Sequence, residues 1–431
     1  MNPRGRFLAA RLAYVAIILL ATVTELHFSP DLTAATHRLA RAFTPSLGWR
    51  DAIDGLRNTV LFAGLGVAWV MTSLSGRVRA EIERATLVGF GLSVTVEGLQ
   101  VFSPIRTASI VDVTTNTLGA LAGALVVALW LAALHRARGA RSYLGVPTFL
   151  FAGAYTLAAL CEALTPLFRS APLSRLTGGP LARLHATLGL ALPLRLVEVP
   201  WSDLLLFAPA GFLVVMLLSE RGRSARQTWQ VVAIVGAVCA FGAELVHGLF
   251  GQSIRWEAAA THAVAVGAGA WWAKRRLASL SQALRAETRA LAAIAAYALL
   301  LVLWGLRPFL PQTDFDAITE QLTAAHLVPL ASLAERVDVF SALHVAQQFL
   351  LFLPLGCLLA VWPLRLRGRW SHLWPAVWLA LGIEGAHLVI LDRYFDVTNA
   401  LIAFAALGIG WLAMRRSGFA PYGEAVAALR R

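Results

Sequence analysis

Apolar residues gather along this chain in long blocks, separated by short polar turns that carry arginine. The blocks fall at about 7–26, 53–73, 85–102 and 110–134, then 143–165, 201–219, 228–250 and 258–274. A last group follows at about 289–309, 343–363, 371–391 and 396–414. Each is close to the ~20 residues a helix needs to cross a hydrocarbon core, where every backbone polar group must be satisfied internally. The pattern predicts an all-α, polytopic integral membrane helical bundle with about 12 transmembrane helices.

Composition agrees. Of 431 residues, 58% are hydrophobic and 14% charged, more apolar side chain than a soluble domain of this size can hide. The net charge of +13 would suit nucleic acid, but the arginines sit in the turns between blocks rather than along one face. The partner they imply is the lipid bilayer, with no nucleic acid. Cys161, Cys239 and Cys357 all lie inside apolar blocks, so neither a disulfide framework nor a paired-cysteine metal motif follows. The first block is followed by Glu25 and His27 without a small-residue cleavage site, and reads as a retained helix.

The blocks repeat. "NTVLFAGLG" (Asn58 to Gly66) returns as "DLLLFAPAG" (Asp203 to Gly211) and "QFLLFLPLG" (Gln348 to Gly356), with Phe62, Phe207 and Phe352 spaced 145 residues each time. "EGLQVFSPIR" (Glu97 to Arg106) returns as "ELVHGLFGQSIR" (Glu244 to Arg255) and "EGAHLVILDR" (Glu384 to Arg393). Two motifs keeping one period predict three four-helix units, at 1–141, 142–285 and 286–417, with a cytoplasmic tail at 418–431. Basic clusters at Arg77/Arg79/Arg84, Arg136/Arg138/Arg141, Arg221/Arg223/Arg226, Lys274/Arg275/Arg276 and Arg365/Arg367/Arg369 alternate with turns holding one arginine: Arg106, Arg255, Arg393. That asymmetry places both termini in the cytoplasm and the single-arginine turns on the outer side of the cytoplasmic (inner) membrane. Long connections at about 28–52, 166–200 and 310–342 fall on the outer side too; their amphipathic stretches fit either an interfacial or a re-entrant course.

The outer turns carry the candidate chemistry. In the first unit Glu97 and Gln100 share a helix face, Arg106 follows Pro104, and Asp112 and Asn116 lie four apart, with Gly119 and Gly123 continuing that stripe. The second unit offers Asp203, Glu244, His247, Arg255 and His262, with alanine near Ala258 where the first has Asp112. The third offers Gln348, Glu384, His387, Arg393, Asp396 and Asn399, with Asp396 and Asn399 set against Asp112 and Asn116. Ionisable groups at membrane depth are expensive, about 2.5–3.5 kcal/mol on insertion scales, so these form either a binding site or a structural clamp. Glu-x-x-His in two units has the spacing of carboxylate-bridged metal sites, yet the ligand set is incomplete; a direct Glu–His hydrogen bond is the expected arrangement, with no metal and no cofactor. No phosphate loop, nucleophile elbow or zinc-protease helix is visible, so no catalytic residue is assigned.

Glu-x-x-Gln, a Pro and Arg turn, Asp-x-x-x-Asn and Gly-x-x-x-Gly, preceded by a polar-Leu-Phe-x-Pro-x-Gly helix, resemble the VanZ-like family of bacterial membrane proteins. The matching positions are Asn58, Phe62, Gly66, Glu97, Gln100, Arg106, Asp112, Asn116 and Gly119; the family's Pro falls at Gly64, whereas the later units keep Pro209 and Pro354. The second unit is the most degenerate. The resemblance implies a cell-envelope role, linked in the family's namesake to low-level teicoplanin resistance, and not a defined reaction. Three functions follow for testing: a non-enzymatic protein whose outer hairpins bind a lipid, a lipid-linked envelope precursor or a membrane protein partner; a transporter or lipid translocator; and an intramembrane enzyme using paired carboxylates.

Overall fold

The computed structural model describes residues 3–23, 31–44, 49–73, 77–104, 108–137, 143, 146–169, 182, 184–186, 202–249, 253–283, 286–307, 309–322, 324–329, 331, 339–362, 371–391 and 393–419. Regular structure among them is helical, apart from one isolated antiparallel bridge between Pro311 and Ile390. The chain divides into two compact bodies, Met1–Arg136 and Ala137–Arg431.

The N-terminal body holds α1 (Pro3–Val23), α2 (Leu32–Ala42), α3 (Trp49–Met71), α4 (Val78–Gln100) and α5 (Ile110–Ala137). Its core gathers Ile18, Phe62, Leu65 and Ala120, with Tyr14, Leu61 and Trp69 packed around them. Burying a phenylalanine of that kind is worth about 1.5–3 kcal/mol, which explains why Phe62 recurs as the fixed point of the motif. At one end of the body buried Glu81 takes Arg84 at 2.8 Å and Arg11 at 3.5 Å, so its charge is paired. Arg11 also donates to the Thr72 hydroxyl at 2.8 Å, tying α1 to the end of α3.

The C-terminal body holds α6 (Thr148–Arg169), α7 (Ser202–Glu220), α8 (Ala225–Ala237), a π turn (Val238–Gly242), α9 (Ala243–Leu249), α10 (Trp256–Ala283) and α11 (Ala286–Gly305). The short α12 (Phe315–Glu320) and α13 (Ala324–Leu327) precede α14 (Val339–Ala360), α15 (Trp374–His387) and α16 (Val397–Arg416). Ser224 and Gln227 form a reciprocal capping box that starts α8. Edge-on aromatic pairs, Phe151 with Tyr297 and Tyr155 with Trp304, seat α6 on α11 at centroid distances of 5.7 Å.

Among the described residues, each predicted block overlaps a helix or helical run. Six helices among the described residues are long and apolar enough to cross a membrane: Ile110–Ala137, Asp203–Glu220, Ala225–Leu249, Thr288–Gly305, Leu343–Ala360 and Val397–Arg416. Phe7–Leu19, Asn58–Met71 and Thr148–Glu162 are apolar but shorter. Leu87, Leu129, Val264 and Trp378 project outward, as side chains facing lipid do. The chain is a helical membrane bundle.

The glycine stripe has a different partner from the neighbouring α4. Gly119 and Gly123 of α5 press on the backbone of α3 at Thr59 and Ala63, and Gly66 of α3 presses on Ala120 and Ala124. A Cβ at any of these would overlap backbone, so only glycine permits the approach. The same contact joins α7 to α10, through Gly211 against Val266 and Gly269 against Ala208. It also joins α14 to α16, through Gly356 against Leu407 and Gly410 against Leu353.

Candidate functional site

The three glutamates end buried, and each meets the start of the next long helix. Glu97 Oε2 accepts the Ser109 N–H at 2.9 Å, Glu244 Oε2 accepts the Arg255 N–H at 2.7 Å, and Glu384 Oε2 accepts the Asp396 N–H at 3.4 Å. Ser109, Arg255 and Asp396 are the residues immediately before α5, α10 and α16. The first N–H groups of a helix lack intrahelical partners and carry its positive dipole end. A buried carboxylate needs donors, and those groups supply them. The glutamate therefore closes each turn as a clamp.

The remaining polar residues brace the clamp. Asn58 Nδ2 donates to Asp112 Oδ1 at 2.9 Å, linking α3 to α5. Asn116 Nδ2 donates to the Ser93 hydroxyl at 2.8 Å, linking α5 to α4, while Asn116 Oδ1 is buried without a hydrogen bond. Gln100 is half-buried at the end of α4, and Arg106 lies outside the described residues. The amphipathic stretch before α3 is ordered as α2, capped by Asp31. It docks Ala35 and Ala42 on Val101 and Ala108 of the turn, with Arg38 Nε donating to the Val101 carbonyl at 2.8 Å.

In the stretch read from the sequence as the second unit, His247 Nδ1 lies 3.5 Å from Glu244 Oε1, and His262 joins Asp203 at 2.9 Å. In the third, His387 sits between Glu384 at 3.3 Å and the Gly305 carbonyl at 3.1 Å. Arg393 Nε donates to the Arg307 carbonyl at 2.7 Å, and Asp396 caps α16 by accepting the Thr398 N–H at 2.7 Å. The Glu-x-x-His pairs thus contact each other directly. Among the described residues no three His, Cys, Asp or Glu side chains gather as a metal site.

Two assignments in the third unit shift by a turn. The contact pairs Gly123–Ala63 and Gly410–Leu353 set the register, which brings Asn399 level with Asp112 and Asp396 level with Ser109. Asp396 is accordingly a helix cap, and Asn399 the bridging residue. Its partner on α14 is His344, whose Nε2 lies 2.8 Å from Asn399 Oδ1, one turn before half-buried Gln348.

Sequence reasoning passed over two features. Tyr14, Tyr155 and Tyr297 each donate a hydroxyl to a helix carbonyl, at Leu61 (3.0 Å), Leu206 (2.9 Å) and Leu351 (2.8 Å). Those leucines directly precede Phe62, Phe207 and Phe352, so the tyrosines extend the motif backward. At Gly64, where the later repeats have Pro209 and Pro354, a Cβ would overlap the Tyr14 hydroxyl as that ring is placed here. The second is a polar cluster of Glu162, Arg307 and Gln347: Arg307 Nη2 lies 3.2 Å from Glu162 Oε1, and Gln347 donates to Glu162 Oε2.

Residues 8–131 match the family described as VanZ/LLP1. No curated protein and no solved structure is significantly similar to the chain. The matched segment takes in α1 to α4 and most of α5, with the Glu97 clamp, the Asn58–Asp112 bridge and the glycine stripe. Over that segment the chain is VanZ-like.

Proposed function

We propose that this is a non-enzymatic, multi-pass protein of the bacterial cell envelope, built of three tandem VanZ-like units in the cytoplasmic membrane with both termini cytoplasmic. Its outer turns are rigid elbows that bind a lipid headgroup, a lipid-linked envelope precursor or a membrane partner, and so support resistance to teicoplanin-type glycopeptides. The observation that carries the reading is the threefold use of a buried glutamate to cap the next helix. A carboxylate committed to backbone amides is a poor acid–base catalyst but a good splint, which favours binding over chemistry. Recognition then falls to groups on the elbow surface, such as exposed Tyr394 and Arg255.

The test is survival under envelope stress, glycopeptide included, in cells lacking the gene and complemented with wild type or with Arg255→Ala plus Tyr394→Ala at equal expression. Complementation by wild type and failure by the surface variant is the expected result. No phenotype on deletion under any envelope stress would overturn the reading. A second reading, a transporter or lipid translocator, draws on the pairing of buried His262 with half-buried Asp203 between α7 and α10.

A further inference from the structure

His262 is 3% exposed, and both of its ring nitrogens meet acceptors. Nε2 lies 2.9 Å from Asp203 Oδ2, and Nδ1 lies 3.2 Å from the Cys239 carbonyl oxygen. The Phe207 ring covers the imidazole at a centroid distance of 4.0 Å. A neutral imidazole has one N–H and one lone pair. The Cys239 carbonyl only accepts, so a hydrogen bond to it requires a hydrogen on Nδ1, and a neutral Nε2–H ring would satisfy Asp203 only by leaving Nδ1 bare against that carbonyl. An ionised Asp203 also only accepts, and a bare Nε2 would face it lone pair to lone pair. The contact is attractive when one further proton lies between Nε2 and Oδ2, in an imidazolium–carboxylate or an imidazole–carboxylic acid pair.

We propose that half-buried Asp203 and buried His262 form a proton-binding site that holds one proton while α7 and α10 are closed on each other.

Three observations besides the hydrogen-bond accounting support it. Cys239 sits in the π turn that interrupts the α8–α9 run, an irregularity that clusters at functional sites. In the register set by Gly123 and Gly269, the first unit has Asn116 level with His262 and Asp112 level with Ala258, while Asn58 is level with Asp203. The acid has moved from the fourth helix to the second and an amide has become a histidine, an exchange that keeps a bridge and adds a proton. Other ionisable groups on the helices packed against α10 are placed elsewhere. Glu244 bonds the Arg255 N–H and lies beside His247, Glu220 accepts from Tyr143 and Thr148, and Arg221, Arg223 and Arg226 are exposed at the far end. On α10 itself Arg275 stacks over Trp271, and Glu257 lies in the first turn.

The proposal stands on this geometry and not on what the outer turns bind. The experiment is nitrogen-15 NMR of the full chain, histidine-labelled, in phosphatidylcholine nanodiscs, with His262 assigned by its contacts to Phe207 and by loss in His262→Gln. Infrared spectra of the same sample report a protonated carboxyl. Expected near neutral pH is either both His262 nitrogens protonated or a carboxylic acid band that disappears in Asp203→Asn. In Asp203→Asn the amide donates to Nε2, so His262 becomes a neutral Nδ1–H tautomer with both bonds kept. A wild-type His262 that is neutral, with no protonated carboxyl band, would overturn the proposal whether or not the variants fold.

Discussion

Glu244 Oε2 accepts the backbone N–H of Arg255 at 2.7 Å across the turn before α10, so what holds the turn is a main-chain group rather than the arginine's charge. The two residues are separable by mutation. Glu244→Ala leaves the amide immediately before α10 without this acceptor and is expected to cost about 1.5–3 kcal/mol, the range for hydrogen bonds to charged groups. Arg255→Ala keeps the amide and should change stability by less than about 0.5 kcal/mol. Reversible denaturation in mixed micelles reads both. Equal losses would place the clamp in the guanidinium instead.

The tyrosine bonds give a second check. Tyr14→Phe, Tyr155→Phe and Tyr297→Phe each remove one hydroxyl from a carbonyl and keep the ring. Each should destabilise by about 1 kcal/mol. Three separate unfolding measurements decide this, and a change near zero at any one position would remove it from the motif.

Close helix approach is tested at the glycines. Gly123→Val, Gly269→Val and Gly410→Val drive a side chain into the backbone of the facing helix. Overpacking of this kind costs about 1–3 kcal/mol, and more where backbone is the obstacle. Gly267→Ala, which meets open space within its helix, should instead be neutral or stabilising by about 0.5–1 kcal/mol. Folded yield after purification separates the two classes.

The Asn58–Asp112 bridge predicts rescue. Asn58→Asp sets two carboxylates within a bond distance now spanned at 2.9 Å and should lower stability, while Asp112→Asn alone keeps an amide–amide bond. Combining Asn58→Asp with Asp112→Asn restores one acid facing one amide and should recover most of the loss. A double variant no better than Asn58→Asp would mean the two residues do not act through each other.

Much of this was legible in the chain. Blocks of apolar residues gave the helices, because in lipid the backbone has no alternative. The glutamates and glycines stood out because a polar or missing side chain inside an apolar block is expensive and therefore placed for a reason. The partners were less legible. The stripe of Gly119 and Gly123 announces a close helix approach without naming the helix it meets, which is α3. Asp396 and Asn399 were matched by letter to Asp112 and Asn116, although one helical turn decides which residue caps and which bridges. The tyrosines hide because a hydroxyl among aromatic, apolar neighbours leaves no pattern of its own. Glu162 on α6, Gln347 on α14 and Arg307 in the turn just past α11 converge only in the folded body.

The central claim, that three modules set their clamped elbows along the outer face of the membrane, is tested most directly by cysteine labelling in intact cells. With Cys161, Cys239 and Cys357 replaced, single cysteines go at exposed Pro104, Ser253 and Tyr394 on the elbows, and at exposed Arg223 on an opposite turn. A membrane-impermeant maleimide is expected to label the three elbow positions from outside and Arg223→Cys only after lysis. Labelling of Arg223→Cys in intact cells, with the elbow positions protected, would contradict the account.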